Sequence, residues 1–291
     1  MLPTRNPGVV APAMAIGAGL VWSLGVLTAR LASHTDAWQY LIWRSIGILV
    51  VMETLSRLRG RTLQVKLAFT SGRHMLVANA GLLVASLMFV YALKNTKAAN
   101  AAFLGSLTPF MAAVLSRAFL RERLTRVTIV ASLVAAGGVL TMVVTDLEAG
   151  NMRGNVAAVC SSIGFAVYAV CIRSRPDVDW SPALTGYAVM LVALCAVVTV
   201  ANGQPLVPPA TDIGYALVHG GLLIVIGTTL FNAASRTVGA VAMTIFGQGE
   251  AVFIPIWVFL KFHERPQPAT LIGGAIVLGA VIGKAVVDAR A

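Results

Sequence analysis

The chain has 291 residues, of which 58% are hydrophobic and 11% charged, with a mean hydropathy of +0.84; a soluble domain carries roughly 25% charged residues. A chain this apolar is a membrane protein, and its short polar intervals leave no room for a soluble catalytic module. The net charge of +11 reports topology rather than nucleic-acid binding, because the arginines and lysines gather in particular loops.

A bilayer core of about 30 Å is crossed by about 20 apolar residues in a helix. In chain order the sequence offers ten such runs: 11–30, 38–56, 74–93, 99–119, 126–145, 154–173, 183–201, 213–232, 239–260 and 269–287. The first lacks a small-residue cleavage site ahead of a polar segment, so it reads as helix one and not as a signal peptide. An even number of spans puts both termini on one side. If that side is the cytoplasm, it holds fifteen of the lysines and arginines, the opposite side holds six, and Arg44 lies within a span. The positive-inside rule then predicts cytoplasmic termini in an inner membrane, with lipid headgroups as the secondary partner of the basic loops.

Polar residues inside these runs are the functional candidates, since each needs a partner, a proton or water. Helix one offers Trp22 and Ser23; helix two Arg44; helix three Asn79 and Ser86; helix four Ser106, Thr108 and the kink candidate Pro109. Helix six offers Ser162 and Tyr168, helix eight His219 and Thr228, and helix nine Gln248, Glu250 and a second kink candidate, Pro255. Most serines and threonines in such positions bond backbone carbonyls. Asn79 and His219 need more specific satisfaction, from a neighbouring helix or a substrate. Trp22 and Tyr168 fit either packing or stacking on a substrate. Arg44, roughly 9 Å from a span end, either snorkels to the interface beside Trp38 and Trp43 or reaches inward to a carboxylate.

Glu250 lies near the middle of its run, next to Gly247, Gln248 and Gly249, where glycines lower the cost of unwinding a helix. Three roles fit it: a structural carboxylate hydrogen-bonded to neighbouring helices, a ligand for a substrate ammonium group, and a proton-coupling acid. Cys160, Cys171 and Cys195 all fall within apolar runs and match no metal spacing, so no metal is expected. No G-x-x-x-x-G-K-[ST] loop, H-E-x-x-H motif or serine elbow occurs, so neither enzyme activity nor a cofactor is expected.

The sequence also repeats itself. At an offset of 142 residues Gly105 falls on Gly247, Thr108 on Glu250, Glu122 on Glu264, Arg123 on Arg265 and Gly137 on Gly279; at 143, Trp22 falls on Phe165 and Arg30 on Arg173. Residues 1–148 and 149–291 are then two five-helix repeats. Five being odd, the second half starts on the opposite face, so the repeats are inverted about a central cavity and can exchange inward-open and outward-open shapes. The "GAVIG" of the last helix (279–283) matches a small-xxx-small packing pattern; a monomer is expected rather than a dimer.

Pro109 with Glu122 and Arg123, the glycines of "AAGGVL" (135–140), and Glu264, Arg265 and "LIGGAIVLG" (271–279) resemble the EamA family of the drug/metabolite transporter superfamily. The sequence departs from the family's "EP" in helix nine, having Glu250 followed by Ala251. The resemblance covers essentially the whole chain and implies an all-α, ten-helix carrier with helices one, three, four, six, eight and nine around the cavity. Within the family the chain is similar to bacterial exporters of the YddG type, which implies outward transport of aromatic or other neutral amino acids. Cationic drugs and nucleotide-like metabolites are the rival substrate classes.

Overall fold

A computed structural model describes residues 7–95, 104–122, 124–143, 152–263 and 267–290; Arg123, Glu264 and Arg265 of the repeat pattern lie outside them. All regular structure among the described residues is helical. The first apolar run forms α1 (Pro7–Ser23) and α2 (Gly25–Leu31), which join at Leu24. Then come α3 (Ala37–Leu58), a short α4 (Gln64–Thr70) and α5 (Arg73–Asn95). The helix α6 (Thr108–Leu115) widens into a π-helical turn at Ser116–Leu120 and is followed by α7 (Arg126–Val143).

In the second half, α8 (Met152–Ser174) and α9 (Ser181–Ala201) are continuous. A π-helical segment, His219–Ile224, separates α10 (Ala210–Val218) from α11 (Val225–Ala234). The ninth apolar run forms α12 (Ala240–Gly247) and α13 (Gly249–Phe262), and α14 (Pro268–Arg290) ends the fold.

Where the sequence predicts ten spans, seven helices among the described residues are long and apolar enough to cross a membrane by their own length and composition. They are Val10–Leu31, Arg73–Ala92, Met152–Ser174, Ser181–Ala201, Ala210–Ala234, Ala240–Phe262 and Pro268–Val287. The other three differ for physical reasons. α3 has the length but carries Arg44 and Glu53, while Thr108–Leu120 and Arg126–Met142 are shorter apolar helices.

The helices pack mainly across the boundary between the halves. α5 lies along α8, α7 along α14, α3 along α9 and α1 along α11; α6 touches α8 and α12, and α1 touches α12 and α13. Small residues set these approaches. A Cβ on Gly81 of α5 would stand 2.9 Å from the Gly164 carbonyl oxygen of α8, and one on Gly164 2.8 Å from that of Gly81. A Cβ on Gly279 or Gly283, by contrast, would meet no described residue within 4 Å, so the "GAVIG" pattern mediates no close approach among the described residues.

Helix ends carry their own signals. Asp36 caps α3 by accepting the Gln39 amide at 2.8 Å while the Gln39 side chain accepts the Asp36 amide at 3.1 Å, a reciprocal capping box. The helical segments that end at Leu120 and Phe262 both close on a left-handed residue, Arg121 (φ 55°) and His263 (φ 58°). These are the two non-glycine residues with positive φ among those described, and they are 142 positions apart.

An ion pair ties the same end of α6 to the second half. Arg173 Nε donates to Glu122 Oε1 at 3.1 Å, and Nη1 donates to the carbonyls of Ser235 and Arg236 at 3.3 and 3.2 Å. Both side chains are about a quarter exposed, at 26% and 28%, so screening holds the pair itself to less than about 1 kcal/mol. Arg173→Ala is therefore expected to lower the melting temperature in detergent more than Glu122→Gln, because it also strips two carbonyls of their donor. Equal losses from the two variants would mean that the carboxylate carries the whole effect.

Candidate functional site

The interruptions in the fourth and ninth apolar runs meet. α6 begins just after Ser106 and Leu107, with Thr108 Oγ1 bonding the Gly105 carbonyl at 2.7 Å and Pro109 in its first turn, where a missing N–H costs nothing. The break between α12 and α13 falls at Gln248, between two glycines, and not at Pro255, which sits inside a continuous α13. Gln248 Nε2 donates to the Ser106 carbonyl at 3.0 Å. Ser106 and Gln248 are 142 residues apart, equivalent positions of the repeat.

Glu250 lies in the first turn of α13. A Cβ on Gly19 of α1 would approach the Gly247 carbonyl oxygen at 3.1 Å and the Glu250 amide nitrogen at 3.3 Å, so α1 seals the backbone beside it. The Glu250 carboxylate forms no hydrogen bond or ion pair among the described residues.

One turn along α1 from Gly19, Trp22 heads an aromatic layer. It lies edge-on to Phe165, with centroids 5.9 Å apart, and tilted to Phe231 at 5.4 Å; Tyr168 stacks on Phe231 at 6.5 Å. Trp22 and Phe165, matched by the repeat, are thus in contact. Tyr168 and Phe231 are fully buried, and the Tyr168 hydroxyl donates to Asn232 Oδ1. Tyr168→Phe is expected to cost about 1–2 kcal/mol by leaving that acceptor unpaired, read as a lower melting temperature; an unchanged value would mean water replaces the hydroxyl.

A second polar group lies on the α2 side of this layer. Arg44 reaches from α3 to α5, where its Nη2 donates to Ser86 Oγ at 2.6 Å, so it points inward rather than snorkelling. The Tyr40 hydroxyl donates to Thr28 Oγ1 at 3.1 Å and shares a 2.8 Å hydrogen bond with Nδ1 of His219. Trp43 stays at the interface, with its Nε1 bonding the Leu206 carbonyl at 3.0 Å.

One sequence candidate stands apart. Asn79 is fully buried, packs on Gly186 and donates to the Ala68 carbonyl at 2.9 Å, away from the Gln248 break. Ser162, by contrast, reaches the break, donating to the backbone carbonyls of Leu104 at 2.9 Å and Gly105 at 3.3 Å. Sequence reading passed over Tyr40, Phe231 and Asn232 as site residues; Asn232 is an amide in an apolar run and answers to the rule that picked Asn79. A groove of about 440 Å³ beside α6 and α7, lined by Phe110, Val114, Arg117, Thr128 and Ile129, is apolar and includes none of these groups.

Polar groups brought together within apolar helices, with the Glu250 carboxylate left without a partner among the described residues, fit a polytopic membrane protein with an internal site. The chain belongs to the EamA-like transporter family, whose family model matches residues 10–144 and again 152–284. It is therefore a membrane transporter of the drug/metabolite transporter superfamily. A solved structure described only as "Crystal structure of protein" shares the fold, with a TM-score of 0.79 and 18% identity over 95% of this chain and 97% of that one. No curated protein matches the chain.

Proposed function

We propose that the protein is a secondary transporter that exports small metabolites, foremost amino acids of aromatic or other neutral type, across the bacterial inner membrane by alternating access. The observation that carries this reading is the meeting of the two equivalent helix breaks at Ser106 and Gln248, beside a carboxylate that has no partner among the described residues. Discontinuous helices that meet at mid-membrane are where carriers of inverted design bind substrate.

The ten-span, inverted arrangement is part of the proposal. Counting α3, α6 and α7 as spans gives five per half, and the packing pairs then map onto themselves when the halves are exchanged. α1 with α11 becomes α8 with α5, while α3 with α9 and α7 with α14 are each self-paired. The left-handed turns at Arg121 and His263 repeat at the same offset. Both termini then lie in the cytoplasm, and one chain is the working unit because its site is built within itself.

The carboxylate of Glu250 suits a substrate ammonium group. An organic cation satisfies the same group, which is the specific ground for a second reading as an exporter of cationic drugs. Counterflow in proteoliposomes with a panel of neutral amino acids and lipophilic cations, with and without a pH gradient, separates the two. Amino acid exchange is expected; exchange of cations alone supports the second reading, and no exchange of either class removes the first.

A further inference from the structure

The Arg44 side chain is a half-buried cation that meets no carboxylate among the described residues. Its Nη2 is used by Ser86, and its Nε is buried with no hydrogen-bond partner. The acidic groups that anchor neighbouring elements are engaged elsewhere. Asp36 caps α3, and Asp212 of α10 accepts the His34 amide at 2.8 Å and the Thr35 hydroxyl at 2.7 Å. Within electrostatic reach of Arg44 are Tyr40, Tyr187, Cys195 and His219, two hydroxyls, a thiol and an imidazole in place of a carboxylate.

A half-buried charge whose Nε is buried without a partner is costly unless an anion reaches it. A guanidinium offers a planar fork of donors that matches a carboxylate, and Ser86 takes up only part of it. Close backbone packing fixes the place of the fork. A Cβ on Gly220 would collide with the Arg44 carbonyl oxygen, and one on Gly25 would stand 2.6 Å from His219 Nε2.

We propose that Arg44, with Ser86 and the Tyr40–His219 pair around it, is a carboxylate subsite on the transport path, distinct from the ammonium site at Glu250. Along α1 and α2 the order is Gly19 against the Glu250 backbone and Gly25 against His219, six residues or about 9 Å apart. The substrate's two charges are then met at successive stations, the Arg44 station lying toward the α2 end. The assignment rests on the reading of the substrate as an amino acid and adds that its free carboxylate is required.

The test compares counterflow of L-phenylalanine with that of L-phenylalanine amide in the full-length parent, Arg44→Gln and Arg44→Lys. L-phenylalanine flux is expected to fall in Arg44→Gln at least tenfold more than amide flux, with Arg44→Lys intermediate because it keeps the charge but not the fork. Equal falls for both compounds, or no fall, overturn the subsite while leaving the transport reading intact. If the parent moves neither compound, that reading fails and sodium benzoate serves as the probe. Thermal stabilisation of the parent by benzoate that is lost in Arg44→Gln supports the subsite, and its absence in the parent overturns it. Should Arg44→Gln not fold, the same comparisons are made with Arg44→Lys, for which a smaller change of the same sign is expected.

Discussion

Glu250→Gln is expected to abolish most transport of ammonium-bearing substrates while leaving the amount and melting temperature of the protein unchanged or slightly raised. The two readouts separate because the carboxylate has no hydrogen bond or ion pair among the described residues. Removing its charge therefore costs the fold no partner and relieves the desolvation of an anion. A charged hydrogen bond to substrate is worth about 1.5–3 kcal/mol, which corresponds to a loss of roughly 10- to 100-fold in apparent affinity. If Glu250 also carries a proton, the response to a pH gradient vanishes with it. A drop in melting temperature with transport retained would assign the carboxylate to the fold instead.

Gly220→Ala is expected to be the most damaging single methyl group in the chain. The new Cβ would land on the carbonyl oxygen of Arg44, and the same crossing brings a Cβ on neighbouring Gly221 to 2.9 Å from the Val51 side chain. Backbone cannot swing aside as a side chain can, so α3 and the segment His219–Ile224 must separate, at a cost of about 3 kcal/mol or more. Gly214→Ala, one helical stretch earlier with nothing within 4 Å, is the matched control and is expected to gain a few tenths of a kcal/mol. Melting curves in detergent read both, and equal behaviour of the two would mean that α3 and the π-helical segment are not in close contact.

Seven of the ten expected spans were legible because bilayer thickness sets a minimum length for a crossing helix, and the repeat was legible because equivalent sites keep equivalent residues. The break at Gln248 was written in its flanking glycines, although Pro255 was the louder signal; inside a helix already held by neighbours the proline is absorbed. Other features have no local signature. The short helix Gln64–Thr70 hides in a basic loop, and the π-helical turn at His219 follows from the fit of Gly220 and Gly221 against α3, a contact between residues far apart in sequence. Likewise, Arg44 carries nothing in its own neighbourhood to tell a snorkelling arginine from one that reaches Ser86. Asn79 and Glu250 looked alike as buried polar residues, yet one bonds the Ala68 carbonyl and the other bonds nothing described.

The main packing partners of α1, α3, α5 and α7 all come from the second half of the chain. Neither half therefore has a core to itself, and the helices of the first half leave the ribosome and enter the lipid before the surfaces they fit exist. They wait in the bilayer as separate spans and close only when α8 onward has been inserted. Biogenesis is thus an assembly of two partners that happen to share one peptide chain. Two half-chains made separately in one cell should find each other, whereas either made alone should be left to the quality-control proteases.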